Sequence, residues 1–531
     1  MHTSKMTVDT AIFTPRFLRM RLPRVCVAII GSDAAEMLEK ASVIVRHNSL
    51  LEFRLDYLSK PLSALPKIKQ FLDLNRHVTA IATCRRAATG GKFRGSIASE
   101  IEVLLKAVQA GCQLIDVEVE TMEHMKPAEI EKLRKQAAVI VSHHDFKTTK
   151  GLEEILVRMQ VFPADFMKIA TTARSLSDNV TMMQFLQQHS DQHSLVGLCM
   201  GEQGIPSRIL SVRAGSVFTF AAALPGEETA PGQILSRTLH DVYRIDRVDA
   251  ATKVYGVAGD PVAHSLSPVM MNAAFRRENL NSVYLALHAK KVEDLLRCIR
   301  EIPISGLSVT MPFKQEIMKY LDNSDAFATR TGACNTVVRS QGKLYGFNTD
   351  VSGIVRPLEK RLPLAGAKIL LMGSGGAARA AAFGLVDRKA NVFISNRTSA
   401  TAQKLARQSG ARYISRKDIA KNDFDVIINA TPLGMEGARN QSPLEENELR
   451  AKIVFDMVYN PVETKLIKMA RTRGLHIVTG LEMFVNQGAR QFEIWTEKPA
   501  PENEMLKVIV HTLQNRIASE SKPESKNGKQ R

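Results

Sequence analysis

Eight short apolar runs rich in β-branched residues recur through the first half of the chain, with segments of helical period between most of them. The runs are "RVCVAIIG" (24–31), "LLEFRLDYL" (50–58), "VTAIATCR" (78–85), "LIDVEVE" (114–120), "AVIVSHHDF" (138–146), "DFMKIATTA" (165–173), "SLVGLCMG" (194–201) and "SVFTFAA" (216–222). Segments 97–110 and 125–137 illustrate the intervening helices. Eight strands alternating with helices over roughly 220 residues is what a closed (β/α)8 barrel requires. The polar residues of these strands gather at their C-terminal ends: Glu52, Arg54, Arg85, Glu118, His144 and Lys168. That face of a barrel carries the active site, because the loops after each strand surround one mouth. A lysine inside an apolar strand either snorkels out at the strand end or is kept for chemistry. The company of two arginines, an acid and a histidine favours chemistry for Lys168.

The second half changes character after a junction near 245–252. "KVYGVAG" (253–259) opens a new strand. Further on, "KILLMGSGGAARA" (368–380) sets an apolar strand directly before a glycine turn and a small-residue helix start, and "ANVFISNRT" supplies a second strand about twenty residues later. Gly373, Gly375 and Gly376 would let the backbone approach a pyrophosphate at a helix N-terminus; a purely structural turn is the alternative. An NAD site wants Asp or Glu at the end of the second strand, whereas this chain has Ser395, Asn396 and Arg397. An arginine there suits a 2′-phosphate, so NADP(H) is the expected cofactor.

At 531 residues the chain can hold two or more domains, and 44% hydrophobic with 24% charged residues is ordinary globular composition. Its net charge of +18 is dispersed, without an arginine-rich arm, zinc-finger spacing or RNP-like motif. No nucleic-acid partner is therefore expected. No run of ~18 apolar residues suggests a spanning helix, so no membrane partner is expected either. The six scattered cysteines lack CxxC or Cys/His ligand spacing, which predicts a reducing compartment and no metal. Residues 1–23 carry Arg16, Arg19 and Arg21 but no continuous apolar stretch; a cytoplasmic location is expected, with a plastid-type leader as the alternative. Residues 516–531 read as a disordered tail. Oligomeric state is open.

The first half resembles type I 3-dehydroquinate dehydratase. "EFRLD" (52–56), "CR" (84–85) followed by "GG" (90–91), "HHDF" (143–146), "KIA" (168–170), "SR" (207–208) and "APGQ" (230–233) match that family's pattern in order. The resemblance implies that Lys168 forms a Schiff base with the C3 ketone and that His144 transfers the proton. It implies that Arg208 holds the substrate carboxylate while Glu52, Arg54, Arg85, Thr229 and Gln233 contact the substrate. A free lysine, with a pKa near ~10.4, cannot attack a ketone at neutral pH; burial and neighbouring arginines are expected to expose the amine. His143 is expected to be a tautomer partner or a bystander. Where the family commonly has Glu before Gly-Gly this chain has Thr89, and where Ser is common before Ala-Pro-Gly-Gln it has Thr229. The first change removes a carboxylate and bears on closure of the substrate loop.

The second half resembles shikimate dehydrogenase. "HSLSP" (264–268), "SVTMPFK" (308–314), "GACNT" (332–336), "GFNTD" (346–350), "NATPLGM" (429–435), "FDMVYNP" (455–461) and "NQGARQF" (486–492) carry the likeness. It implies Lys314 and Asp350 as the catalytic pair, and Ser265, Ser267, Thr310, Asn335, Tyr459 and Gln487 around the substrate. The implied cofactor set is Gly373, Ser374, Gly375, Gly376, Ala377, Asn396, Arg397, Thr398, Gly480 and Met483. Ser308 and Met271 depart from residues common in bacterial members, Asn and His respectively.

Together the halves resemble the bifunctional fusion of the two enzymes, with 3-dehydroquinate, 3-dehydroshikimate and shikimate as its small-molecule partners. The expected architecture is α/β throughout: a (β/α)8 barrel over 24–248, then a two-domain dehydrogenase. Its substrate domain spans 253–355, completed by 484–515, and a Rossmann-type NADP domain spans 356–483. A quinate-preferring dehydrogenase half and a non-catalytic metabolite sensor are the alternatives. Retention of Lys168, His144, Lys314 and Asp350 speaks against the sensor.

Overall fold

The computed structural model describes residues 22–520 except His264 and Glu436. The expected leader therefore lies outside the described residues apart from its last two positions. The chain divides into two compact units, one made of the residues up to Thr252 together with Glu293–Ile302, the other of Lys253–Val292 and the residues from Pro303 on.

The first unit contains eight parallel strands: β1 (Val25–Ile29), β2 (Leu50–Arg54), β3 (Thr79–Thr83), β4 (Leu114–Glu118), β5 (Ala138–His144), β6 (Phe166–Thr172), β7 (Leu195–Met200) and β8 (Thr219–Ala222). A two-residue strand, β9 (Ile234–Leu235), pairs with β8. The ladders run β7-β6-β5-β4-β3-β2-β1-β8. Period-two alternation sends one set of side chains inward. Low in the barrel these are Cys26, Leu50, Ile81, Leu114, Ile140, Val196 and Phe218, which form one apolar cluster. One or two steps further along the same faces come Glu52, Asp116, Glu118, Ser142, His144 and Lys168. The register pairs Glu118 with Ser142 and Ser142 with Lys168, so these side chains share one face of the sheet.

The ring is closed at its seam by unusual means. Among the described residues no ladder joins β7 to β8; Val217 N–H donates to Leu195 O at 2.8 Å. The next two outward donors of β7 are taken by hydroxyls, with Gly197 N–H on Ser216 Oγ (3.2 Å) and Cys199 N–H on Ser207 Oγ (2.8 Å). Buried backbone donors thus keep partners without a continuous strand pair.

The second unit holds two sheets. The first combines β10 (Lys253–Gly259), β11 (Ser282–His288), β12 (Ile304–Val309), β13 (Asn323–Ser324), β14 (Thr336–Ser340) and β15 (Lys343–Phe347) in the order β11-β10-β12-β14-β15-β13. The β14–β15 hairpin is antiparallel and β10–β12 parallel. The second sheet, β16 (Lys368–Met372), β17 (Asn391–Ser395), β18 (Arg412–Tyr413), β19 (Phe424–Asn429), β20 (Ala451–Asp456) and β21 (His476–Val478), is parallel throughout. Its order, β18-β17-β16-β19-β20-β21, is the 3-2-1-4-5-6 winding of a dinucleotide-binding sheet. Small residues of the helix Gly376–Asp387, including Ala378, Ala381 and Ala382, let it lie close on Ile369, Leu371 and Val426.

Helix Gly480–Thr496 returns the chain to the first of these sheets. Its start is fixed by a capping box between Thr479 and Glu482. Trp495 Nε1 donates to Val337 O at 3.1 Å, over Gly306, where a Cβ would come within 2.4 Å of the indole nitrogen. The last helix runs Glu502–Glu520. This helix takes in the first residues of the expected tail, as far as Glu520. Residues 521–531 lie outside the described chain.

Candidate active sites

Lys168 is the third of the seven residues of β6, its side chain about 6% exposed. Its Nζ donates to Asp116 Oδ2 at 2.7 Å, lies 3.7 Å from Glu52 Oε1 and stands 4.0 Å from the centroid of Phe220. Carboxylates and a ring touch it, while Arg85 lies across Asp116 from it, 3.9 Å from the same carboxylate oxygen. Period two explains this, because Asp116 and Glu118 alternate inward on the neighbouring strand. Ser142 Oγ donates to Asp116 Oδ1 at 2.5 Å, and Thr83 Oγ1 to Glu52 Oε1 at 2.8 Å, so each acid is separately held. Burial opposes ionisation of Asp116, but the charges of Lys168, Arg85 and His144 hold it well below the usual carboxylate range.

His144 places Nδ1 3.2 Å from Glu118 Oε2, and Arg85 Nε donates to the other oxygen of that carboxylate. Burial, with Arg85 and Lys168 nearby, pushes His144 far below its ordinary value, so its ring is neutral at physiological pH. Burial pushes Glu118 upward against the pull of Arg85. His143 points elsewhere, with Nδ1 3.3 Å from Glu120, and is a bystander to this cluster.

Arg54 is committed to Asp56 through two bonds of 2.9 and 2.8 Å. Arg208 is different. It is about 1% exposed, donates only to Pro231 O at 3.1 Å, and its buried Nε has no partner. Burial pulls its guanidinium down to about 10, leaving it charged at neutral pH without an acid beside it. A buried unpaired cation on the loop face of a barrel is a ready seat for an anion. Gln233 is oriented by Thr229, whose N–H and hydroxyl both reach Gln233 Oε1 (2.8 and 3.2 Å). The loop bearing Thr89 folds on itself: Thr89 Oγ1 donates to Arg86 O, and Lys92 N–H donates to Asp56 Oδ2 at 3.1 Å.

In the second unit Lys314 Nζ donates to Asp350 Oδ2 at 2.6 Å, and Asn335 Nδ2 donates to Asp350 Oδ1 at 2.8 Å. Asn335 is locked from its oxygen side by the Thr349 N–H (2.8 Å) and the Thr336 hydroxyl (2.9 Å). Ser265 Oγ accepts from Ser267 N–H at 3.2 Å. Thr310 lies over Gly259, where a Cβ would approach Thr310 Cγ2 to 2.4 Å. Tyr459 stacks on Phe484 with centroids 5.3 Å apart, and Gln487 Nε2 donates to Phe484 O at 2.9 Å.

Sequence reasoning passed over Tyr284, whose hydroxyl donates to Ser308 Oγ (2.5 Å), which in turn donates to Gln491 Oε1 (2.7 Å). Gln491 closes the chain on Thr336 Oγ1 at 3.1 Å. Burial raises the Tyr284 phenol, against hydrogen bonds to Ser308 and Ser267. Tyr284 lies on an ordinary apolar strand with no motif to mark it. Asp116 and Phe220 were likewise missed in the barrel, although their inward parity was readable.

The glycine turn fits a dinucleotide. Gly373 has φ +116 and its would-be Cβ meets Ala430 O at 2.8 Å, so a side chain is barred by backbone. Around Gly375 and Gly376 nothing lies within 4 Å of a would-be Cβ, leaving an open cradle at the N-terminus of the helix that carries Ala377. Ser374 Oγ and Asn396 Nδ2 both meet Thr401 Oγ1 (3.0 and 2.9 Å), tying this turn to the end of β17. Arg397 and Thr398 follow there, exposed. Gly480, whose Cβ would strike Val458 O, and Met483 lie in the first turn of the returning helix.

Four family descriptions match the chain: Type I 3-dehydroquinase over residues 25–250, Shikimate dehydrogenase substrate binding domain over 257–337, Shikimate / quinate 5-dehydrogenase over 357–466, and Shikimate 5′-dehydrogenase C-terminal domain over 480–510. Fold and sites define a two-enzyme chain, a lyase barrel followed by a dinucleotide-linked oxidoreductase. Over 501 residues it is 33% identical to the chloroplastic bifunctional 3-dehydroquinate dehydratase/shikimate dehydrogenase of Arabidopsis thaliana, spanning 90% of this chain and 82% of that protein. The chain belongs to the bifunctional 3-dehydroquinate dehydratase/shikimate dehydrogenase family. It is also 42% identical over 276 residues to the shikimate dehydrogenase (NADP(+)) of Bacillus cereus strain B4264, covering 49% of this chain and 99% of that one. The solved shikimate 5-dehydrogenase of Thermus thermophilus with NADP(H) and shikimate aligns at 33% identity and a TM-score of 0.46, over 49% of this chain and 99% of that one. Among the described residues no helix is long and apolar enough to cross a membrane.

Proposed function

We propose that the barrel dehydrates 3-dehydroquinate through an imine on Lys168 and that the second unit reduces the product, 3-dehydroshikimate, to shikimate with NADPH. The observation that carries the reading is the buried Lys168–Asp116 pair, together with a buried Arg208 guanidinium that has no acid beside it and whose Nε has no partner. Attack of the Lys168 amine on the C3 ketone expels water and leaves a cationic imine at the same nitrogen. The cationic imine, like the resting ammonium, then has its charge beside Asp116 and over the face of Phe220. The imine acidifies the adjacent C–H; neutral His144 takes that proton and returns it to the departing hydroxyl. Arg208 takes the ring carboxylate, and Glu52, Arg54, Arg85, Thr229 and Gln233 line the remaining contacts.

In the second unit Lys314 donates a proton to the oxygen of the reduced ketone, and Asp350, fixed by Asn335, holds Lys314 in place. Bound NADPH supplies the hydride. Gly373, Ser374, Gly375, Gly376 and Ala377 take its pyrophosphate, and Asn396, Arg397 and Thr398 take the 2′-phosphate. Gly480 and Met483 would line its nicotinamide end. Ser265, Ser267, Thr310, Asn335, Tyr459 and Gln487 bind the acid. The functional parts are residues 24–248, 253–355 completed by 484–515, and 356–483. Six unpaired, buried cysteines fit a reducing, cytoplasmic setting.

The test is to supply 3-dehydroquinate with NADPH and follow NADPH oxidation. Steady oxidation is expected, since reduction requires the dehydrated product. Oxidation with 3-dehydroshikimate but not with 3-dehydroquinate would refute the barrel assignment, and oxidation with neither would refute the dehydrogenase assignment.

A further inference from the structure

His144 lies among cations. Arg85 from the loop after β3, Lys168 from β6 and Arg54 from β2 all disfavour a positive charge on its ring. The base step puts such a charge there. The anions around it are mostly engaged: Asp116 holds Lys168 and Ser142, and Glu52 accepts from Thr83. Thr89, on the loop beside the site, bonds only the Arg86 carbonyl. Glu118 alone among the described carboxylates touches the ring, with Oε2 3.2 Å from Nδ1, while Arg85 anchors its other oxygen. His144 Nε2 makes no hydrogen bond among the described residues, and the neighbouring His143 is turned to Glu120.

We propose that Glu118 is a positioning residue of the dehydratase: it keeps the resting proton of His144 on Nδ1, so that Nε2 is the base, and is the counter-ion of the imidazolium formed in turnover. The inference rests on the proposed imine chemistry of the barrel. In the first step the C–H electron pair becomes a C=C bond while the C=N π pair moves onto nitrogen, giving a neutral enamine, and the proton goes to Nε2. In the second the enamine expels the hydroxyl, which takes that proton from Nε2 and leaves as water. Glu118 neither gains nor loses a proton over the cycle. Its carboxylate accepts from Nδ1–H in both states, and the burial that makes it costly to ionise is offset by Arg85 on one oxygen and the ring on the other.

The experiment compares wild type, Glu118→Gln and Glu120→Gln in three readings: steady-state dehydration, its pH profile, and borohydride trapping of the Lys168 adduct by mass. For Glu118→Gln a fall in kcat of at least ~100-fold is expected, the range of acid–base assistance, with KM little changed and trapping intact. The acidic limb of its profile should move to lower pH, since Arg85, Lys168 and Arg54 then face the ring with only Asp116 opposing. Glu120→Gln should match wild type. An unchanged kcat and profile in Glu118→Gln overturns the proposal, as does loss of trapping together with kcat, which would assign Glu118 to imine formation. If Glu118→Gln does not fold, 15N NMR of histidine-labelled wild type decides, with His144→Gln identifying the signal: a protonated Nδ1 supports the proposal and a protonated Nε2 overturns it. A wild type that neither dehydrates nor traps refutes the imine reading itself, a different failure from these.

Discussion

Arg208 separates function from stability within one side chain. A buried guanidinium lacking an acid costs folding energy and is retained for what it binds. Arg208→Ala should lower kcat/KM for 3-dehydroquinate roughly 10- to 200-fold, from ~1.5–3 kcal/mol of lost charge-assisted bonding, while leaving stability to urea equal or higher. Steady-state kinetics with chemical denaturation checks both signs. Glu100 behaves oppositely. Its carboxyl is pushed up to about 7 by burial, against hydrogen bonds from Thr121 and Arg86. A raised folded pKa means that its contribution is full below the unfolded value near ~4.3 and is lost as pH rises through about 7. The barrel should therefore lose about 1–3 kcal/mol from this group between pH 5 and pH 8. Glu100→Gln should flatten that slope when unfolding is read by pulse proteolysis in urea. Sequence motifs singled out Lys168, His144, Lys314 and Asp350, because the proposed chemistry demands those residue types. The partners of Lys168 were not legible in the same way: strand parity brings Asp116 to it, and register is a property of the sheet.

At the scale of elements, the strands of the barrel follow the apolar runs closely, since burial on both faces makes each run continuous. The ends differ where polar residues interrupt. The run 50–58 is a strand only to Arg54, and Leu55–Tyr57 form a 3-10 turn as Asp56 turns back onto Arg54. The seam between β7 and β8 could not have been read from the runs at all, because it depends on Ser207 and Ser216 bridging backbone gaps. Ser207→Ala and Ser216→Ala should each destabilise the barrel by about 1–3 kcal/mol through a stranded N–H. Backbone hydrogen exchange should quicken at Cys199 for the first and at Gly197 for the second. Val or Thr substitution would mix this effect with packing, so alanine is the informative change.

For the whole molecule, the proposed chemistries draw on separate sets of residues within separate units. Lys168→Ala should abolish NADPH oxidation from 3-dehydroquinate and preserve it from 3-dehydroshikimate; Lys314→Ala should abolish both. Mixing the two variants should restore oxidation from 3-dehydroquinate, because the intermediate can leave one chain and enter another. Failure of the mixture, with each single activity intact, would show that a chain keeps its intermediate. The identity of the two halves was legible from their ordered motifs, while the network of Tyr284, Ser308 and Gln491 emerged only once three distant segments met.

The returning helix Gly480–Thr496 supplies Gln487 and Gln491 and seats Trp495 on β14, although β14 lies more than a hundred residues earlier in the chain. On a ribosome, then, the shikimate site stays unfinished until the entire dinucleotide sheet has emerged. The eight strands of the barrel all precede Thr252, although Glu293–Ile302 groups with them, and domains fold from the N-terminus as they are synthesised. A nascent chain thus acquires its dehydratase first and its reductase last, so the order of birth repeats the order of the reactions.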